Sequence, residues 1–462
     1  MKIDVLCCEC QRLQSHDYLL RSPCYKCARD DGAVPDYTGG SSLQRLQRFP
    51  NGYEQPFSTT QLNINLNRMS VSSQINSETV TYFNLYMASD FAPTSNEDFR
   101  LTDCILQEFG KISKTLLTCV VATHKTIRGL GNNDVLMFEH QGMAARELNS
   151  LIQQTQQVPL YRQIIDAMTM FIGVQIQQSV YGPWRIHLDG AKSILNSCPE
   201  SLLACNEEDV HFLAILDVYG TTTTPPKLLS PEMVAHHTLY RRMLAHFNVD
   251  PLQTPTPIPN EILDATIAIN IYRIEHHTGH RHSRDQQSSL DAIISSLEEF
   301  DPQKWAAGLA AEYLPNSKSL AILATCYSSA TLLYLLQSCR IHSTSKYVRW
   351  KSGVRRQTAY RDLKNAVTTL FRDRLRNGTY HKTIFWPIVI CGIEAAAQGS
   401  RVDFLCEYLE IITMELGANG MREAAAFLKG LVEMRQQRGV PHGEMFEFDW
   451  NEIFALAPIF IM

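Results

Sequence analysis

The sequence predicts an all-α protein, an irregular α-helical array preceded by a small cysteine-rich module and a flexible linker. Three observations predict it. From Val80 onward apolar residues recur at three- and four-residue spacing, and strand-like alternation is rare. Breakers interrupt that pattern at Gly182-Pro183, Pro225-Pro226, residues 251–259 and residues 417–420. The first 75 residues differ, with cysteine pairs in 1–37 and a Ser-, Gln-, Asn- and Thr-rich stretch in 38–75.

With 462 residues, 45% of them hydrophobic, the chain can bury at least one large core. Three units follow: a module at 1–37, a linker at 38–75 too polar to fix a conformation, and a helical domain at 76–462. The net charge of −5 argues against a whole-protein affinity for polyanions, so any nucleic-acid contact must be a local patch.

The N-terminal module holds five of the thirteen cysteines. Cys7-x2-Cys10 and Cys24-x2-Cys27, thirteen residues apart, have the spacing of a tetrahedral thiolate site for zinc. His16 is able to replace one thiolate, and Cys8 is spare. The other eight cysteines, Cys104, Cys119, Cys198, Cys205, Cys326, Cys339, Cys391 and Cys406, stand singly and read as reduced, buried small hydrophobes. Lys2, Asp4 and the early cysteines leave no apolar stretch of signal-peptide type. Residues 320–338 are uncharged but carry Thr325, Ser328, Ser329, Thr331 and Gln337, which suits a buried core helix better than a bilayer span. An intracellular, soluble chain with no membrane partner is expected.

The helical pattern opens with Leu101, Ile105, Phe109, Ile112, Leu116 and Val120. It continues through residues 162–178, 262–276, 320–338, 361–371, 385–398, 404–416 and 422–436. No fixed period relates these segments, which argues against a solenoid. Residues 278–289 and 251–259 are expected to be surface loops.

Several side chains invite a chemical reading. His276, His277, His280 and His282 form a dense patch, yet Gly279 and the polar run after it suggest a fraying helix end rather than a metal site. Lys346, Arg349, Lys351, Arg355, Arg356, Arg361 and Lys364 interleave with Tyr347, Trp350 and Tyr360. That stretch suits phosphate contact or nuclear import as well as it suits a solvated helix face. His187 reads as a hydrogen-bonded packing residue, and Glu394, in an apolar helix, calls for a partner such as Arg401. The common phosphate-cradling and hydrolytic motifs are absent, so no enzyme is expected.

The N-terminal stretch resembles the fungal zinc binuclear cluster, C-x2-C-x6-C followed by C-x2-C-x6-C. Cys7, Cys10, Cys24 and Cys27 take the first, second, fourth and fifth cysteine places, while Asp17 and Val34 stand at the third and sixth. The resemblance thus implies a degenerate Zn2Cys6 module holding one zinc rather than two. Arg12, Arg21 and Lys26 are its candidate DNA contacts, facing CGG-type half-sites. Lys2, Arg12, Arg21, Lys26 and Arg29 are outnumbered by Asp4, Glu9, Asp17, Asp30, Asp31 and Asp36, a net charge of −1, so the grip on phosphates is weak. A relic cluster and a wrongly joined first exon both account for this.

Past the linker the chain is similar to the second fungal-specific transcription factor domain family, typified by acriflavine-sensitivity regulators. Trp184-Arg185-Ile186-His187-Leu188-Asp189-Gly190-Ala191 matches W-x-x-H-L-x-G-A, and Pro387 to Ala395 matches P-x-x-x-x-G-x-E-A. Phe448-Asp449-Trp450 resembles the closing D-W motif. The resemblance implies a nuclear transcriptional regulator, pathway-specific for a metabolic or secondary-metabolite gene cluster, with no catalytic role. Its implied partners are DNA, a small-molecule effector or partner protein, and a second copy of the chain. The alternative is a helical module that binds no DNA and acts through partner proteins.

Overall fold

The computed structural model describes residues 77–88, 101, 110–131, 133–153, 159–181, 184–197, 207–246, 256–278, 283–309, 316–339, 346–374, 380–441 and 444–456. All lie in one compact unit, Pro56–Met462. The secondary structure among them is helical: α1 Ser77–Tyr86, α2 Lys111–Ile127, α3 Asp134–Gln153, α4 Pro159–Gln178, α5 Trp184–Ser197 and α6 Glu207–Thr222. Then come α7 Pro231–His246, α8 Asn260–Thr278, α9 Ser283–Glu299, α10 Pro302–Ala307, α11 Ser317–Ser338 and α12 Lys346–Arg372. The last four are α13 Phe385–Ala397, α14 Asp403–Leu416, α15 Gly420–Gln437 and α16 Trp450–Leu456.

Helix α11 is the axis of the core. It packs against α8, α9, α10, α12, α13 and α16, and Leu320, Leu323, Ala324, Leu333 and Tyr334 along it are fully buried. An all-round apolar helix belongs in an interior, and α11, the one described helix long and apolar enough to cross a bilayer, is mostly buried here. Its tyrosines join an aromatic cluster: Tyr219 and Trp386 meet at 4.9 Å, Tyr327 and Trp386 at 6.4 Å, and Tyr334 and Trp450 at 5.2 Å. Such offset and edge-on contacts add to the burial of large rings.

Two glycines leave room for tightly packed neighbours. A Cβ at Gly392 on α13 would stand 2.4 Å from Leu428 Cδ1 on α15, so the Leu428 side chain fills the space over the glycine and would have to shift for any larger residue. Gly417 closes α14 at φ 58°, and a Cβ there would lie 2.3 Å from the His124 ring. A cap of another kind starts α10: Asp301 accepts from Gln303 N at 2.9 Å and Lys304 N at 3.1 Å, with Pro302 at the first helical position.

Helix α2 begins at Lys111 after an extended Gly110 at ψ 163°, and residues 102–109 of the expected helical run lie outside the described residues. Two expectations need correction. Residues 283–289 are helical, not looped: α9 buries Leu290, Ile294 and Leu297, and its polar first turns hid that stripe. Residues 256–259 are buried, so this end of the proline-rich stretch is an interior lead into α8 rather than a surface loop. Cys119, Cys326, Cys339, Cys391 and Cys406 are free and buried, as read from the sequence; Cys104, Cys198 and Cys205 lie outside the described residues.

Candidate functional site

Helix α6 runs into Thr221-Thr222-Thr223-Thr224-Pro225-Pro226, where the prolines stop it and leave its last carbonyls without helical partners. Every threonine of the run is buried, so those carbonyls need protein donors. Arg273 of α8, itself 6% exposed, supplies most of them. Its Nη1 donates to Thr221 O at 3.2 Å and Thr222 O at 3.1 Å, and its Nη2 to Thr224 O at 3.4 Å. The guanidinium sits at the negative end of α6, where a cation is favoured.

Other donors reach the same turn from far along the chain. Trp450 Nε1 donates to Thr222 O at 2.8 Å, and Trp386 Nε1 to Thr222 Oγ1 at 3.1 Å. Arg185 Nη2 donates to Gly220 O at 3.1 Å and Thr224 Oγ1 at 2.6 Å, its guanidinium lying 4.4 Å from the Trp184 ring centroid. The three sequence motifs at 184–191, 386–395 and 448–450 therefore converge on one helix end.

A buried polar chain leads away from it. Arg273 Nη1 donates to Tyr334 Oη at 2.7 Å, and Tyr334 Oη donates to Asn270 Oδ1 at 2.7 Å. Asn270 Nδ2 donates to Val218 O at 2.8 Å and meets His237 Nε2 at 3.1 Å. His237 Nδ1 lies 2.8 Å from Met233 O, so a neutral ring protonated at Nδ1 satisfies both bonds. Burial pushes the His237 pKa down, opposed by Asp217.

Asp217 is 1% exposed and lies 3.3 Å from Lys192 Nζ, with Tyr240 Oη donating to its other oxygen at 3.3 Å. Burial works against its ionisation, but Lys192 and the nearby histidines outweigh it and hold the carboxyl below its usual range. Lys192 also meets Asp189 at 3.0 Å. Chemically this is a set of paired, hydrogen-bonded charges.

The residues singled out in the sequence fall as follows. Cys7, Cys10, Cys24, Cys27, His16, Arg12, Arg21 and Lys26 lie outside the described residues. His187 is a packing residue: it stacks on Phe171 at 4.9 Å, meets Gln175 Nε2 at 3.0 Å, and burial lowers its pKa to about 4. Glu394 pairs with Arg356, not Arg401: Arg356 Nε stands 2.8 Å from Oε2, and Gln337 and Gln398 donate to the same carboxylate. Arg401, 91% exposed, pairs with Asp403 instead. On α12, Arg355 forks onto Glu298, Tyr360 is buried, and Arg361 and Lys364 are exposed. The side chains of Lys346, Tyr347, Arg349, Trp350 and Lys351 lie outside the described ones. His276 and His277 are exposed at the end of α8, His280 and His282 lie outside the described residues, and among those described no cluster of metal-ligating side chains occurs.

Sequence reading missed Arg273, Asn270, Asp217, Lys192 and the threonine turn. The available signal was Arg273 as the lone basic residue within the apolar run of α8, together with a Thr-Pro helix end.

The fungal specific transcription factor domain matches residues 80–454, and the chain belongs to that family. It is a regulator of transcription of the fungal type. Comparisons with curated proteins and with solved structures give no match.

Proposed function

We propose that this chain is a pathway-specific nuclear regulator of the acriflavine-sensitivity type, whose helical domain responds to a small-molecule effector or partner protein. The observation that carries the reading is the convergence on α6. Residues 185, 273, 386 and 450 all end at one turn, so a ligand that shifts α5 or α16 also alters how α6 terminates. In this reading the domain has no catalytic role. The paired charges around Asp217 support that, since each is already neutralised.

The DNA-binding half is assigned to residues 1–37. Cys7, Cys10, Cys24 and Cys27 offer the donor set of one structural zinc, with His16 as a substitute ligand, and Arg12, Arg21 and Lys26 as the cations facing CGG-type half-sites. Zinc content of the full-length protein and anisotropy titrations against such duplexes at several salt concentrations test it. One zinc per chain and binding that falls steeply with salt are expected. A chain without zinc that ignores DNA at low salt would leave no DNA-binding role.

A second reading is favoured by the module's net charge of −1: the protein reaches its genes through partner proteins. Unchanged target-gene expression with Cys24→Ala and Cys27→Ala together would establish that reading over the first.

A further inference from the structure

Among the described residues, α3 carries a stripe, apolar except for Asn149, that the fold leaves largely uncovered. Val135, Phe138, Gly142, Ala145, Asn149 and Ile152 recur at alternating three- and four-residue steps, the seam spacing of paired helices. Val135 is 68% exposed, Phe138 44% and Ile152 41%. The opposite face, with Met137, Gln141, Ala144 and Leu148, is buried where α3 packs against α2 and α4. The stripe therefore lies largely outside this domain's own core, and an exposed run of this kind marks a contact surface.

We propose that α3 is the interface between two copies of this chain, crossing antiparallel about a two-fold axis near its midpoint. The occupant is a second copy because the stripe complements itself. In antiparallel alignment Val135 faces Ile152 of the partner subunit, Phe138 faces Asn149 of the partner subunit, and Gly142 faces Ala145 of the partner subunit. The small pair falls at the centre, where the axes come closest, and the large side chains flank it on both sides. Such a contact is isologous and closes at two copies. Spanning about 25 Å along the helix, it repeats each pairing twice.

Charge selects the direction. Glu139 and Arg146 are exposed beside the stripe, one heptad apart, and neither forms an ion pair among the described residues. Antiparallel alignment sets Glu139 against Arg146 of the partner subunit, twice. A parallel alignment would instead bring Asp134 beside Glu139 of the partner subunit, a repulsion of like charges. Asn149 in the stripe weakens the contact and fixes its register, as a polar seam residue does in helix pairs. None of this rests on zinc or DNA.

Sedimentation equilibrium of the full-length protein tests the proposal. The wild-type chain is expected to dimerise. Phe138→Glu should abolish the dimer while leaving the helical circular dichroism unchanged, since the side chain is not part of the core. Glu139→Arg alone and Arg146→Glu alone should each weaken dimerisation by about tenfold, and the two together should restore it. If Phe138→Glu loses helicity, the charge-swap series decides. A wild-type monomer, with α3 free or covered by this chain's own residues or by another protein, would overturn the proposal. So would a dimer indifferent to Phe138→Glu, or a charge-swapped double variant no tighter than the single ones.

Discussion

The end of α6 and the middle of α13 each bury a charge, and they neutralise it differently. Glu394 is met by the opposite charge of Arg356 and by two amides, all from α11, α12 and the end of α13 itself. Among the described residues Arg273 faces no carboxylate; its charge is spread over three backbone carbonyls, a tyrosine hydroxyl and Asn451 Oδ1. A local ion pair can be cut out and replaced, because only neighbouring helices depend on it. A cation held by a helix end binds together segments that are remote in the chain.

The comparison is sharpest at Arg273. Replacing it by Met strips donors from three buried carbonyls, and a loss of about 4 kcal/mol in urea unfolding is expected. A loss under about 1 kcal/mol would show that Trp450 and Arg185 hold the turn without it.

Removing Arg356 should cost about 3 kcal/mol, because it leaves Glu394 charged and 0% exposed. Here a compensating change exists: Arg356→Met with Glu394→Met should recover most of the loss, as buried ion pairs often tolerate apolar replacement. No comparable double change is expected to rescue Arg273→Met. If the two sites behave alike in these cycles, the distinction between them fails.

Glu423 is a half-buried acid that forms no ion pair among the described residues. Ser179 Oγ and Val180 N bond it at 2.9 and 2.8 Å, yet burial raises its pKa to about 7 from 4.5. The folded form thus holds the proton more tightly than the unfolded form, and stability falls as pH rises from about 4.5 to about 7. Glu423→Gln should remove that slope and gain on the order of 2 kcal/mol at pH 8, read from melts across pH. His124, His187 and His211 act oppositely: burial lowers each to about 4, so the stability they contribute is lost as pH falls from 6.5 to 4.

The smallest effect belongs to Arg401→Ala. Its partner Asp403 is 69% exposed, and a change within about 0.5 kcal/mol is expected. A larger value would return Arg401 to the role the sequence suggested for it.

That misassignment shows where sequence reading stops. Helices α11, α13, α14 and α15 were legible because their apolar residues recur or dominate over many turns. Helix α9 was not, because seven polar residues precede Leu290 and the pattern opens after the helix has begun. Glu394 plainly needed a cation, but proximity in sequence favoured Arg401 while the fold brings Arg356 from 38 residues away. The threonine turn was the hardest to see. Its importance lies in backbone carbonyls, which every sequence carries alike, and in donors from four other helices. His187 was legible for the opposite reason, since its packing role follows from the spacing of Leu188, Ala191 and Leu195 on the same helix.

The turn at α6 also sets an order of events. Thr222 waits for Trp386, 164 residues on, and for Trp450, 228 residues on. During synthesis the helices up to α12 can collapse while this end of α6 stays wet, since closing such long loops precedes any reward from the contact. The last described helix then acts as a latch: Trp450 brings the donor that closes Thr222 O against solvent.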